Sequence, residues 1–467
     1  MIIAKLLQTF SVLVVFPHDH PDIASNKCLT QSYFGTYGTQ SVFIPPESCV
    51  NSFAPTANVP NVYLHPGAQL VWLEQAALEQ RLLTDHPFSL NSLRGYLGLP
   101  IDAGENTYGS ISGKQQPLGP ARDTILHHTS TSALLALSHT RVRDLSLILP
   151  PTWRIYVLPS MPILPVPEPA IARVRDILAN LKFNPEVAKI VSNISVPQIQ
   201  NDIRFLTGED GKSGIESRHS FSSGASVAAE WLKTRFEATG AKCELRPFLS
   251  GFAPNVVCRY PSTEDTTETV LVSGHYDSRG SFGSTRAPGA NDDGSGTTGL
   301  LSIARTIKRL GVTFRSNVEL VAFAGEEQGL YGSRYYAMDL RNEEKNLTLM
   351  VQADMIAYHQ PGEPPQLGLP AYIGTPEVTQ LVANLSAIYS PELVVGFTPA
   401  CCSDHQSFHY QGFPATQVFE RAGPIADPMY HNSGDLSDRE GYDFEQLKSI
   451  AKVQFATLLH VAGFDLP

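Results

Sequence analysis

The chain has 467 residues, 42% of them hydrophobic and 17% charged, which is ample material for a globular core and more length than one typical domain uses. A formal net charge of -11 and a pI near 5.7 exclude nucleic acid and anionic membrane as principal partners, because both surfaces repel an acidic chain at long range. The partner class that remains is a small or peptidic ligand.

The opening MIIAKLLQTFSVLVVF carries one lysine and then an apolar run from Leu6 to Phe16, broken only by Gln8, Thr9 and Ser11. That run is too short to span a bilayer and has the length of a signal-peptide core. Residues 1–17 are therefore expected to be a signal peptide that exports the protein, with no stable membrane insertion. No small-x-small cleavage pattern follows, and the alternative is a buried N-terminal strand. Sequons at Asn193, Asn346 and Asn384 suit a glycosylated secretory protein.

Residues 18–168 scatter Gly, Pro, Ser and Thr (IPPESC, ILPPTW, PSMPILPVPEP) without a sustained period of 2 or 3.6. They read as a leader, either a pro-segment or an accessory region, to which no fold is assigned; the prolines at 160–170 read as its linker. From Pro169 the punctuation becomes regular. Helices are expected near 170–182, near 196–206 and in SSGASVAAEWLKTRFEATG, which Gly240 stops.

The runs CELRPFL and NVVCRY, separated by Gly251 and Pro254, predict a hairpin that brings Cys243 and Cys258 together as a disulfide, a bond that persists in an oxidising compartment. The remaining cysteines are Cys28, Cys49, Cys401 and Cys402, and no spacing among the six suggests a thiolate zinc site. Strands and helices then alternate: TVLVSGHYDS, TGLLSIARTIKRLG, NVELVAFAGEE, LYGSRYYAMDLR, LTLMVQADMIAY, TPEVTQLVANLSAIY, PATQVFE and a closing helix DFEQLKSIAKVQFATLLHVAGF. Continuous apolar strands alternating with helices predict an α/β fold with a doubly wound, mostly parallel sheet, which binds ligands at the carboxyl ends of its strands.

The three strongest strands end in His275 and Asp277, in Glu326 and Glu327, and in Asp354. The loop GANDDGSG adds Asp292 and Asp293, and MYHNSGD adds His431 and Asp435. Taken singly, each is more often a turn or cap residue than a ligand. A parallel sheet, however, gathers these ends at one edge, where unpaired carboxylates repel one another and resist desolvation. Divalent cations remove that conflict, and mixed His and carboxylate donors point to zinc, with manganese or cobalt as substitutes.

Two metals with three carboxylate ligands and one hydroxide set four positive charges against four negative ones, the balance of a hydrolytic dinuclear centre. Adjacent residues in extended backbone point to opposite sides, so of Glu326 and Glu327 one is expected to bind metal and the other to act as base, with the order left open.

In their order and spacing, GHYDS, APGANDDGSG, AGEEQGLYGS, QADMIAY, CSDHQSF and YHNSGD resemble the motifs of the zinc-dependent aminopeptidases that include secreted microbial leucyl aminopeptidases. The similarity covers roughly residues 190–465, so that residues 169–467 are expected to form the catalytic domain. The resemblance implies two zinc ions per chain with Asp292 bridging them, one also held by His275 and Asp354 and the other by Glu327 and His431. Glu326 is then the base that takes a proton from the attacking water and gives it to the leaving amine.

Asp277, two residues past His275 and on the same strand face, is placed to orient the imidazole. Tyr430 resembles a tyrosine that steadies the tetrahedral oxyanion, and Met355 and Phe419 match positions lining an apolar pocket for the N-terminal side chain; ordinary packing is the alternative for all three. Two departures stand out. Asn291 replaces an acidic residue of some relatives at a position that is not a ligand, and Cys401 and Cys402 are adjacent where some relatives have a spaced disulfide and a tyrosine, which puts one wall of the pocket in question.

The expected activity is removal of N-terminal residues, large and apolar, from peptide substrates by a dizinc-activated water. The rivals are a carboxypeptidase or dipeptidase on the same scaffold and an inactive receptor-like ectodomain. The oligomeric state is left open.

Overall fold

The computed structural model describes residues 13–18, 26–46, 49, 68–83, 87–99, 123–400 and 402–467. Residues 1–12 of the expected signal segment, and Cys401, lie outside the described residues. The chain divides into two compact units. The smaller draws its described residues from the stretches up to 75, 87–149 and 153–163; the larger draws them from 76–86, 150–152 and 164–467.

In the smaller unit β1 (Val14–Pro17), β2 (Tyr33–Tyr37) and β3 (Gln40–Phe43) form an antiparallel sheet in the order β1-β3-β2. Gly38, at φ +53°, supplies the left-handed conformation that the two-residue β2–β3 turn requires. Cys28 and Cys49 are disulfide-bonded. The end of the N-terminal apolar run, residues 14–16, is thus part of a strand, with Leu13 and Val14 buried.

A second antiparallel sheet runs β5-β6-β4-β7, from β4 (Ala68–Gln75), β5 (Thr124–His128), β6 (Ser132–Ser138) and β7 (Trp153–Val157). Leu70 and Trp72 face one side of β4 and Val71 and Leu73 the other, and all four are buried. A strand covered on both faces shows no polar alternation, which is why period-2 reading found nothing here. Tyr37 stacks on Trp72 with ring centroids 5.6 Å apart.

The larger unit is built on a six-stranded sheet in the order β16-β13-β10-β12-β9-β8. Its members are β8 (Lys242–Arg246), β9 (Asn255–Tyr260), β10 (Thr269–His275), β12 (Asn317–Phe323), β13 (Leu347–Ala353) and β16 (Ala415–Val418), while β11 (Thr313–Phe314) lies outside it. β16, β13, β10 and β12 are parallel. β9 joins β12 antiparallel and forms the expected hairpin with β8, across which Cys243 and Cys258 are disulfide-bonded.

Every residue of β10 and β13 is buried, Ser273, His275 and Gln352 included, as strands between two helix layers should be. Leu271, Val321, Tyr336 and Phe408 pack on one face. Val270, Val272, Leu320 and Val351 pack on the other, against the helices Gly296–Leu310 and Phe444–Ala462. The helices expected near 170–182 and 196–206 are Glu168–Ala179 and Val196–Leu206, and the third is Ser223–Glu237.

Also unpredicted were the parallel pair β14 (Gln366–Pro370) and β15 (Val394–Thr398) and the short helices Pro185–Val191 and His405–Tyr410. β17 (Phe464–Asp465) pairs with β11. The register sets His275 beside Phe323 and Ser273 beside Gln352, so β10, β12 and β13 all end at one edge. Among the described residues no helix is long and apolar enough to cross a membrane.

Candidate metal centre

At that edge two groups of side chains offer converging donor atoms. Asp292, Glu327 and His431 form one; His275, Asp293 and Asp354 form the other. His431 Nε2 lies 3.0 Å from Asp292 Oδ2 and 2.9 Å from Glu327 Oε2. His275 Nε2 lies 3.3 Å from Asp292 Oδ1 and 3.6 Å from Asp354 Oδ1. The two oxygens of Asp292 therefore face two different imidazoles.

Asp293 is otherwise engaged. Its Oδ2 accepts the His275 backbone N–H at 3.0 Å, and its Oδ1 accepts those of Gly296 and Met355 at 2.8 and 3.1 Å. A carboxylate already holding three backbone donors is a brace for the loops around it, and Asp292 is the one with open lone pairs toward both histidines. The approach is tight: a Cβ on Gly296 would stand 2.3 Å from Ala353 O and 2.5 Å from Asp293 Oδ2, so only glycine lets the helix start sit against the end of β13.

Both imidazoles are fixed from behind. The His275 Nδ1–H donates to the Asp277 carbonyl oxygen at 3.2 Å, with the Asp277 carboxylate 3.5 Å away. The His431 Nδ1–H donates to the Pro151 carbonyl oxygen at 2.5 Å. A donated Nδ1 proton leaves Nε2 with its lone pair, the tautomer that a metal ligand needs. Arg279 donates to the Pro150 carbonyl oxygen at 3.2 Å and so steadies the same stretch.

Both Nε2 atoms, and Glu327 Oε1, are buried without a hydrogen bond among the described residues. Buried polar atoms that face only other donors of electron pairs are the pattern of a cation site, and two imidazoles with carboxylates fit zinc. The electrostatics agree. Burial pulls His275 down, yet the charges of Asp354 and Glu326 outweigh it and hold the group well above its ordinary value. Burial also opposes His431, which Glu327 and Asp292 nevertheless push up to about 9. Burial pushes Asp293 and Glu327 up. The cluster has a surplus of negative charge that only cations, protons or metal, relieve.

Glu326 and Glu327 do not stand on extended backbone. β12 stops at Phe323, Gly325 turns the chain at φ +73°, and the Glu326 carbonyl oxygen accepts the N–H groups of Gly329 and Leu330. The separation expected from strand alternation arises instead from this turn, which aims Glu327 at His431 and leaves Glu326 out of both donor groups. Asp277 likewise lies past the end of β10 rather than on its face. Its Oδ1 and Oδ2 accept the backbone N–H groups of Glu326 and Glu327 at 3.2 and 3.3 Å, so one carboxylate locks both the imidazole and the glutamate turn.

Tyr430 stacks on His431 with ring centroids 3.8 Å apart. Met355, Phe419 and Tyr430 fall in one apolar cluster. Cys402 is buried and disulfide-bonded.

Sequence reasoning missed the scaffold behind the centre. Arg218, fully buried, donates to the carbonyl oxygens of Leu206, Tyr276, Pro288 and Gly289, tying the loop after β10 to the loop that carries Asp292. Asp435 accepts the N–H groups of Asn291 and Asp292 at 3.0 Å and is itself held by Arg439. Asn291 Nδ2 donates to Asp427 at 2.8 Å and to Glu420 at 3.2 Å, and an aspartate there would set a third carboxylate against those two. Asp404, buried and pushed up to about 7 by desolvation, adds a further acid beside the cluster. Asp435 and Asn291 stood out in their motifs, but nothing in the sequence paired them with Arg439, Asp427 and Glu420, and Arg218 carried no signal of its role.

Residues 255–458 match the model of Peptidase family M28. A probable leucine aminopeptidase of Arthroderma otae is 28% identical over 300 residues, covering 61% of this chain and 77% of the relative. Leucine aminopeptidase 1 of Grosmannia clavigera is 28% identical over 308 residues, covering 61% and 73%. Among solved structures, the LapA aminopeptidase of Legionella pneumophila superposes with a TM-score of 0.61 at 17% identity over 85% of this chain and 99% of that one, a likeness of fold. The match to Peptidase family M28 lies across both donor groups, and with these relatives it supports a zinc-dependent aminopeptidase.

Proposed function

We propose that the protein is a secreted dizinc aminopeptidase that removes large apolar N-terminal residues from peptides. The observation that carries this reading is the position of Asp292, whose two oxygens lie 3.3 Å and 3.0 Å from the Nε2 atoms of His275 and His431. On this reading His275 and Asp354 would hold one zinc and Glu327 and His431 the other, with Asp292 facing both imidazoles. When bound, the pair supplies Lewis acidity toward the scissile carbonyl and lowers the pKa of the attacking water.

The chain's own groups do the rest. Glu326, excluded from both donor groups and next to Glu327, takes the proton from the attacking water and delivers it to the leaving amine. Asp277 and the Pro151 carbonyl keep the two imidazoles in the ligating tautomer. Tyr430 backs His431 through its ring, and its hydroxyl is assigned to the developing oxyanion. The free amino terminus would be held by a zinc and the nearby carboxylates, which supports exopeptidase action.

Apolar preference is supported by the cluster of Met355, Phe419 and Tyr430, and by relatives named leucine aminopeptidases. Export is supported by the Cys28–Cys49 and Cys243–Cys258 disulfides and by the exposed sequon residue Asn193. Hydrolysis of leucyl p-nitroanilide and of an N-acetyl-leucyl peptide tests the reading. Cleavage of the free amine alone, abolished by chelator and restored by zinc, is expected; efficient cleavage of the blocked peptide overturns the aminopeptidase assignment in favour of another exopeptidase.

A further inference from the structure

Residues 76–86 belong to the larger unit although the chain on either side of them belongs to the smaller. Their described part is seated by backbone pairing. Leu78 forms a parallel bridge with Ile425, the Glu79 N–H donates to the Ile425 carbonyl oxygen at 2.9 Å, and the Ile425 N–H donates to the Ala77 carbonyl oxygen at 2.8 Å.

Charged groups clamp the same stretch. Glu79 Oε1 is 2.8 Å from Arg421 Nη2, and Arg81 donates to the Ala426 carbonyl oxygen at 2.8 Å and to Gln360 at 2.7 Å. Between these anchors the apolar side chains turn inward. Ala76 and Leu78 are buried in one cluster with Met355, Phe419, Ile425 and Tyr430, and Leu82 and Leu83 are half-buried against it.

This cluster is joined to both donor groups. Met355 directly follows Asp354, with its backbone N–H held by Asp293, and Tyr430 directly precedes His431 and stacks on it. Phe419 is fixed by paired backbone hydrogen bonds to Gly368 at 2.7 and 3.0 Å. An apolar surface that starts one residue from a candidate ligand in each group is where the side chain of a bound N-terminal residue would be read.

We propose that Leu82 and Leu83, carried in from the N-terminal part of the chain and positioned by Leu78, form a wall of the pocket for the substrate's N-terminal side chain. They are specificity-determining residues, and the stretch that bears them is a working part of the enzyme rather than a segment to be discarded on maturation. Half-buried leucines at the margin of a packed apolar cluster have surface left to offer a ligand, whereas Leu78 inside it sets their position. The inference rests on the reading of Met355 and Phe419 as pocket residues.

The test uses the full-length protein and the ratio of kcat/KM for leucyl and alanyl p-nitroanilides, with zinc content measured to show that each variant is folded and loaded. Leu82→Ala and Leu83→Ala remove contact with the larger side chain and are expected to lower the leucyl-over-alanyl ratio about tenfold, the low end of what one methylene is worth in such a pocket. Leu83→Phe, which fills space, is expected to shift preference further toward alanyl while Leu83→Ala extends activity toward phenylalanyl p-nitroanilide. Phe419→Ala and Met355→Ala report on the underlying reading. If they alter the ratio and no leucine variant does, the inference is overturned and the pocket stands; if they too leave the ratio unchanged, the pocket reading falls and the inference with it.

Discussion

Asp277→Asn keeps the shape of a fully buried side chain and changes one oxygen to an amide nitrogen. In the parent, that carboxylate accepts the Glu326 and Glu327 N–H groups at 3.2 and 3.3 Å and stands 3.5 Å from His275 Nδ1. An amide satisfies one of the two N–H donors and turns its own N–H toward the other. The lost contact is long for a charge-assisted hydrogen bond, so its worth lies toward the low end of about 1.5–3 kcal/mol. At about 1.4 kcal/mol per decade this is roughly a tenfold loss of zinc affinity, shared between the imidazole and the glutamate turn. The assay is competition for zinc against a coloured chelator on the full chain, with His275→Ala as the reference for outright ligand loss. Zinc affinity within about twofold of the parent refutes the claim that Asp277 organises both parts of the site.

Glu326→Gln is expected to retain the metals while lowering kcat by roughly 100- to 10,000-fold, the span of a positioned general base, whereas Asp292→Ala loses metal as well as rate; equal metal loss in both contradicts the division of roles. Glu74 offers a stability test in the smaller unit. It is half-buried, accepts the Trp72 indole N–H at 3.0 Å, and desolvation pushes its pKa up from 4.5 to about 7. A carboxyl raised in the folded state contributes stability that is fully present below its unfolded pKa and lost as pH rises through the folded one, here about 3 kcal/mol between about pH 4.5 and 7. The unfolding midpoint is expected to fall over that window, and Glu74→Gln to flatten the dependence; an unchanged slope in the variant rejects the assignment.

The sheet and the candidate ligands were legible because they follow from local pattern. β10, β12 and β13 are mostly apolar runs, and each ends in or is followed within a few residues by a histidine or carboxylate that a parallel sheet must bring to one edge. The split between Glu326 and Glu327 was reached on a wrong premise, since a turn at Gly325 replaces the extended backbone that the argument assumed. The brace of Asp293, the buried Arg218 and the Asn291, Glu420 and Asp427 network depend on residues 60 to 140 positions apart in sequence, where neither period nor spacing carries information. The strands at 68–75 and 132–138 were hidden for the opposite reason: covered on both faces along their middle, they lack the alternation that marks a half-exposed strand. No sequence pattern signalled that residues 76–83 and 150–152 would join the larger unit and meet the pocket and His431.

The central claim is that Asp292 serves two metals at once. Zinc analysis of the purified full chain, paired with anomalous diffraction at the zinc edge, tests it directly. The account predicts two zinc ions per chain, one among His275, Asp354 and Asp292 and the other among Glu327, His431 and Asp292. A single zinc, or a pair in which Asp293 rather than Asp292 is the shared carboxylate, contradicts it.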